Sequence, residues 1–473
     1  MERRIIPSGI ILPFILLTSL FFAWAVPNNL TDTMLAAFKR IMSLSDSRTA
    51  WIQVVSFLFG YGCCAIPGAL FIKRYTYKAG VLLGLGLYIL GAFMVYAAQL
   101  CLQINPELSF ATYLFAIFIL FAGLSVLETS ANSYVCAIGD EATATQRLNF
   151  AQSFNPFGAI TGVVISQVFI LSQLNHLTAA ERASLPAAEL TAIQGAEMSA
   201  VTTTYMAVGA VMLGLFFAIL FTKMPNLKEG GGQGSDFAGT FRRLIKNRNY
   251  VWGVVAQFFY VGAQIAVWSF VIRYAMQQLQ LDAVVASLGA NASSADITQA
   301  LRSVEPVAAG FYNLCEAVGL NDLLPRTSEQ AGATYYILSL VLFVIMRFAC
   351  TALMRFIRPR KLLAALAIIA VFCCLITIYA DGVVGVYGLV CISGCMSLMF
   401  PTIYGMGITG LGEDTKIGGS GMVMAIAGAA VLTQIQGIVS DMSSITVAYW
   451  IPTIAFAIIA YYGIVVCKQL DAK

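Results

Sequence analysis

The chain has 473 residues, 59% of them hydrophobic and only 11% charged, with a formal net charge of +4. An average soluble protein is about 25% charged, so lipid is the solvent for most of this chain, and a soluble globular or nucleic-acid-binding protein is excluded. The single histidine, His176, falls in a polar loop, which argues against histidine proton relays, zinc sites and Ser-His catalysis; the eleven cysteines lie mostly inside apolar stretches as small core residues.

A membrane-crossing helix needs about 20 apolar residues. That window predicts about twelve spans, at residues 8–35, 51–72, 78–99, 108–137, 147–173, 201–223, 250–277, 334–357, 361–380, 384–409, 418–439 and 446–467. The expected class is an all-α integral membrane protein. The N-terminal stretch reads as the first membrane helix rather than a cleaved signal peptide. Most lysines and arginines, among them Lys73, Arg74, Lys78, Arg242, Arg243, Lys246, Arg358, Arg360 and Lys361, fall on one side of the spans. Lys39, Arg40, Arg48, Arg182, Arg302 and Arg326 fall on the other. The positive-inside rule makes the first side cytoplasmic, with both termini there.

In the first span Trp24, Asn28 and Asp32 recur every four residues and share one helical face. Asn29 lies beside them, and Pro27 frees a backbone carbonyl. A carboxylate at mid-membrane costs about 2.5–3.5 kcal/mol on insertion scales and persists where it faces a polar cavity. An indole, amides and an acid on one stripe suit a sugar, whose C–H face stacks on a ring while its hydroxyls need donors and acceptors together. The fourth span repeats the pattern with Glu128 and Asn132, set among Val126, Leu127 and Ala131. An acid so placed can load and release a proton; the other reading is a structural acid paired with Arg273 or Arg347. The fifth span places Gln152 and Asn155 three apart, just before Pro156 and Gly158.

Residues 225–249 read as a Gly-rich piece followed by a basic amphipathic stretch, a cytoplasmic linker between bundles at 1–224 and 250–473. Basic turns after the second span (Lys73-Arg74) and the eighth (Arg358-Pro359-Arg360-Lys361) make the halves alike, as in many transporters. In the seventh span Gln257, Gln264 and Trp268 fall at spacings of seven and four, with Tyr260 nearby. Residues 279–333 form an outer insertion, either a cap over a cavity or a loosely packed addition. The tenth span carries Phe400-Pro401-Thr402 and Tyr404; Gln434 and Gln436 in the eleventh read as interhelical glue. No metal-ligating cluster and no nucleophile–base pair is visible, so neither an enzyme nor a cofactor is expected.

Several strings carry a specific resemblance: FFAWAVPNNLTD at 21–32, YKAGVLLGLGLYILGA at 77–92, GLSVLETSAN at 123–132, RLNFAQSFNPFGAI at 147–160, AQFFYVGAQIAVWSFVIRYA at 256–275 and LGEDTKIGGS at 411–420. In order and over nearly the whole chain, they resemble helices and turns of the L-fucose:proton symporter family of the major facilitator superfamily. The resemblance implies twelve helices in two six-helix bundles, alternating access, and import of a hexose or deoxyhexose with a proton. It implies that Asp32 and Glu128 are the functional carboxylates, that Gln152 and Asn155 are the family's fifth-helix pair, and that Trp24 and Asn29 are its first-helix Trp and Asn. Two departures stand out: Phe400 where the family carries a Tyr, and the length of 279–333.

The expected function is therefore proton-coupled import of L-fucose or a close relative, by a protein working as a monomer in the bacterial inner membrane. Glu128 and Asp32 would handle the proton. Trp24, Asn28, Asn29, Asp32, Asn132, Gln152, Asn155, Gln257, Tyr260, Gln264, Trp268 and Phe400 would face the sugar. The alternatives are sodium coupling, another hexose such as glucose or galactose, and a sugar sensor that transports nothing.

Overall fold

The computed structural model describes residues 8–42, 48, 51–52, 54–170, 182, 184–225, 237–288, 294–304, 306–321, 324–325 and 328–471, and these are almost entirely helical. His176, Asn291 and the Gly-rich part of the linker lie outside the described residues. Among the described residues eleven segments are long and apolar enough to cross a membrane, which makes this a multi-pass membrane protein. The fifth expected span differs from its prediction. It is two short helices, α5 (Ala144–Gln152) and α6 (Asn155–Phe169), separated at Ser153 and Phe154. Pro156 sits in the first turn of α6, where a missing N–H is harmless.

The helices before this break are α1 (Ile11–Ile41), which continues through Pro27, α2 (Cys64–Arg74), α3 (Tyr77–Leu102) and α4 (Pro106–Ala137). A π-helical stretch, Val54–Cys63, leads into α2. After the break come α7 (Ala187–Phe221), the linker helix α8 (Phe237–Lys246) and α9 (Arg248–Gln278). The outer insertion contains α10 (Leu281–Ser287), α11 (Ser294–Val304) and α12 (Pro306–Val318). The chain then runs through α13 (Ser328–Leu353), α14 (Pro359–Tyr379), α15 (Val383–Met396), α16 (Met399–Ile408), α17 (Thr415–Met424), α18 (Gly428–Met442), α19 (Ile445–Ala448) and α20 (Trp450–Ile464).

Two compact units result. The first comprises Met1–Val254 and Pro401–Ala430, the second Val255–Phe400 and Val431–Lys473. In the first, α4 is buried without a break from Leu120 to Cys136. Small residues let α3 reach it. A Cβ on Gly84 would stand 2.7 Å from the Leu127 nitrogen, and one on Gly123 would stand 2.7 Å from the Gly84 oxygen. Backbones therefore touch, as is common between membrane helices.

The lower end of α4 is closed by Arg147, a residue that sequence alone places among the loop charges. Its side chain is fully buried. Nε donates to the Val135 carbonyl at 2.7 Å, Nη2 to that of Cys136 at 2.6 Å, and Nη1 to Thr143 Oγ1 at 3.0 Å. Those carbonyls have no partner within the helix that ends there. Residues 401–430 join this unit through several ties. Ser133 Oγ and the Tyr404 hydroxyl are 3.0 Å apart, Asn149 Nδ2 donates to Thr402 Oγ1 at 3.1 Å, and Arg243 of α8 forks onto Asp414 at 2.7 and 2.8 Å.

In the second unit the Tyr274 hydroxyl of α9 donates to the Thr377 carbonyl at 2.6 Å, and its ring meets Tyr449 at 5.3 Å. The insertion is packed rather than loose. Leu281, Ile297, Leu301, Ala308, Tyr312 and Cys315 are buried, Arg302 pairs with Glu316, and the Tyr312 hydroxyl lies 3.1 Å from Thr334 Oγ1 of α13. Cys101 and Cys315 both carry free thiols.

Arg147→Ala strips the carbonyls at the end of α4 of their donors and removes a buried charge matched to them. The expected loss is about 3 kcal/mol or more. It should appear as a marked fall in the apparent melting temperature in detergent, whereas Arg74→Ala, at an exposed position, should leave that temperature nearly unchanged.

Candidate sugar and proton site

In the first unit Glu128, Asn132 and Gln152 come together where α4 meets the end of α5. Glu128 is 7% exposed, and its polar neighbours are Tyr61, from the π-helical stretch, and Asn132, one turn along α4. Asn132 Oδ1 accepts a 2.8 Å hydrogen bond from Gln152 Nε2, while Asn132 Nδ2 finds no acceptor among the described residues. Gln152 closes α5 and Asn155 opens α6, so both sit at the break in the fifth span. A helix interrupted at membrane depth is tolerated where it lines a polar site. Asn155 Nδ2 donates to the Phe21 carbonyl at 3.2 Å, which ties α6 to α1. That contact is close because Gly158 and Gly162 face the α1 backbone at Phe22 and Val26.

On α1, Trp24 is buried and tilted against Phe21 at 4.4 Å. Asn29 Nδ2 donates to the Ala25 carbonyl at 2.9 Å. Asn28 is half-buried, with Oδ1 lacking a donor among the described residues. Asp32 belongs to α1, but its side chain lies outside the described residues.

The second unit gathers its own set. Gln257, Tyr260, Gln264 and Trp268 line one stripe of α9. The Tyr260 hydroxyl donates to the Met396 carbonyl at 3.1 Å, and its ring meets Phe400 edge-on at 6.3 Å. Trp268 Nε1 donates to Ser393 Oγ at 3.1 Å, and its indole packs on Phe343 at 5.2 Å. Gln264 and Phe400 are half-buried.

The geometry has three chemical consequences. Among the described residues Glu128 takes part in no ion pair; Arg273 instead stacks over Phe270 at 5.3 Å and Arg347 over Phe343 at 4.9 Å. The reading of Glu128 as half of a salt bridge with either arginine therefore gains no support. A spare amide donor at Asn132 and a spare acceptor at Asn28 leave both hydrogen-bonding senses available, as hydroxyls require. No group of His, Cys, Asp and Glu able to hold a metal occurs among the described residues.

Sequence reasoning overlooks Tyr61 altogether, since a tyrosine in an apolar span looks like core. It treats Arg347 only as a partner for Glu128, although an arginine within a span is itself a functional signal.

No protein-family model matches the chain. It is similar to the L-fucose-proton symporter of Haemophilus influenzae, 36% identical over 98% of both chains, and to that of Escherichia coli, 37% identical over 96% of this chain and 92% of the relative. It is 30% identical to a glucose/galactose transporter of Brucella abortus, over 96% of this chain and 93% of the relative. The crystal structure of FucP, a major facilitator superfamily transporter, in its outward conformation superposes with a TM-score of 0.79 at 36% identity, covering 96% of this chain and 99% of that one. End-to-end similarity in both sequence and fold leads to one conclusion: the chain belongs to the L-fucose:proton symporter family of the major facilitator superfamily.

Proposed function

We propose that this protein imports a hexose or deoxyhexose, L-fucose foremost, together with a proton. One observation carries the proposal: Glu128 is a carboxyl with no ion pair among the described residues, buried within α4, one turn from an amide pair suited to hydroxyls. A proton on Glu128 neutralises the acid where its charge is most expensive. The neutral site then takes sugar through Asn132, Gln152, Asn155 and the α1 stripe of Trp24, Asn28 and Asn29, with Asp32 as the second acid.

Alternating access then exposes the loaded site inward. One proton moving down 100 mV supplies about 2.3 kcal/mol, enough to concentrate a neutral sugar about 40-fold at about 1.4 kcal/mol per tenfold. The lysine and arginine bias supports cytoplasmic termini and residence in the bacterial inner membrane. Nothing in the site calls for catalysis or for a second subunit. The aromatic surroundings of Phe400, which lacks a hydroxyl, also suit glucose or galactose, the sugars in the name of the Brucella relative.

Two measurements test these assignments. Glu128→Gln mimics the protonated acid, so in proteoliposomes it should retain counterflow exchange of labelled sugar and lose accumulation driven by a pH gradient; normal accumulation by this variant would remove Glu128 from coupling. Uptake by the unmodified protein should collapse with a protonophore and persist in sodium-free buffer. The opposite pattern establishes sodium coupling, and competition among L-fucose, D-galactose and D-glucose ranks the sugars.

A further inference from the structure

Three arginines are buried among the described residues, and two of them have evident partners. Arg147 is saturated by carbonyls at the end of α4. Arg182 forks onto Glu197, with one bond of 2.9 Å, and both side chains are 2% exposed. Arg347 is different. It is 4% exposed on α13 and has no acidic partner among the described residues; neither Nε nor Nη1 finds an acceptor among them. Its guanidinium carbon lies over the Phe343 ring, 4.9 Å from the centroid. Phe343 is buttressed by Trp268, which Ser393 holds in turn.

The ring contact restrains the guanidinium and leaves Nε and Nη1 without an acceptor among the described residues. Gln257, on α9 one turn before Tyr260, is fully buried, and neither its amide oxygen nor its amide nitrogen has a partner among the described residues. Tyr260, close to the guanidinium, has its own hydroxyl committed to the Met396 carbonyl. Buried donors and acceptors are almost always satisfied, so the unpaired guanidinium N–H groups and the unpaired amide, on the stripe expected to face substrate, hold hydrogen-bonding capacity that a ligand or an ordered water would fill.

We propose that Arg347 and Gln257 form the sugar-reading site of the second unit, with the guanidinium edge donating to two vicinal hydroxyl oxygens of the pyranose and Gln257 exchanging hydrogen bonds with a neighbouring hydroxyl. The assignment rests on the sugar-transport function proposed above. It makes Arg347 a determinant of which hydroxyls the transporter requires, while the amides near Glu128 serve the coupled part of the site.

The test is equilibrium binding of L-fucose and its monodeoxy analogues to the purified full-length protein, for the unmodified chain and for Arg347→Gln, Arg347→Lys and Gln257→Leu. Arg347→Gln should weaken L-fucose binding about 10- to 100-fold, the span expected for charge-assisted hydrogen bonds, and Arg347→Lys should recover part of the loss. The deciding readout is selectivity. The unmodified protein should reject analogues lacking the contacted hydroxyls, and Arg347→Gln should no longer distinguish them from L-fucose. A parallel loss across all analogues, unchanged affinity, or intact binding with lost pH-driven accumulation would each overturn the assignment, as would a hexuronate that competes better than the neutral sugar. If Arg347→Gln does not fold, the same collapse of selectivity at one hydroxyl is required of Gln257→Leu. An unmodified protein that binds no hexose at all refutes the transport function itself, and is distinct from one that binds L-fucose equally well with and without Arg347.

Discussion

The burial of α4 on every side governs the first unit. From Leu120 to Cys136 no side chain of this helix is open to solvent, and Glu128 lies in the middle of that run. Glycines on α3 bring backbone against backbone, which leaves little slack around the acid. The carboxyl cannot be relieved by a rotamer change toward water, so its charge must be handled by what the fold supplies locally, Tyr61 and Asn132. A change of charge there is therefore felt by helix packing, which is how a proton can be made to act on structure.

The same helix carries ties to residues 401–430. Ser133, next to Asn132, meets Tyr404; Gly419 packs against both Ser133 and Tyr404; and Lys416 sits over the Tyr77 ring at 5.0 Å. Each neutral hydrogen bond of this kind contributes about 1 kcal/mol. The Arg243–Asp414 pair contributes no more than about 1 kcal/mol, because the Arg243 side chain is 60% exposed. Together these ties define an arrangement firmly, yet a ligand with a few kcal/mol of differential affinity can outweigh them. The acid and the Ser133–Tyr404 tie share α4, so Glu128 and part of the hold on 401–430 lie on one helix.

Much of this was legible before any coordinates. Apolar length located the spans, and four-residue spacing put Glu128 with Asn132 and Trp24 with Asn28. Gln152 and Asn132 do meet, although twenty residues separate them in sequence. What escaped has physical causes. The break between α5 and α6 falls where a polar helix gives way to an apolar one, with only Pro156 to hint at it. Arg147 reads as a loop charge because its value lies in carbonyls that exist only once α4 has ended. The insertion looked irregular because α10 to α12 are short helices whose apolar faces are completed by α13. Membership of 401–430 in the first unit depends on side-chain ties from distant segments, which no local pattern encodes.

The two units differ in what they offer chemically. The first supplies an acid and amides, groups that can gain or lose a proton or switch between donating and accepting. The second supplies aromatic faces at Tyr260, Trp268, Phe343 and Phe400, with a single fixed cation among them. A pyranose has the same duality, with C–H faces that favour rings and hydroxyls that favour directed hydrogen bonds. A guanidinium restrained by a ring has less freedom to follow a substrate that lacks the right oxygens than an amide that can rotate. On the proposed reading, strictness about the sugar belongs with Arg347, and tolerance of changing protonation with the amides around Glu128. Keeping the two demands on separate residues allows one to change without disturbing the other.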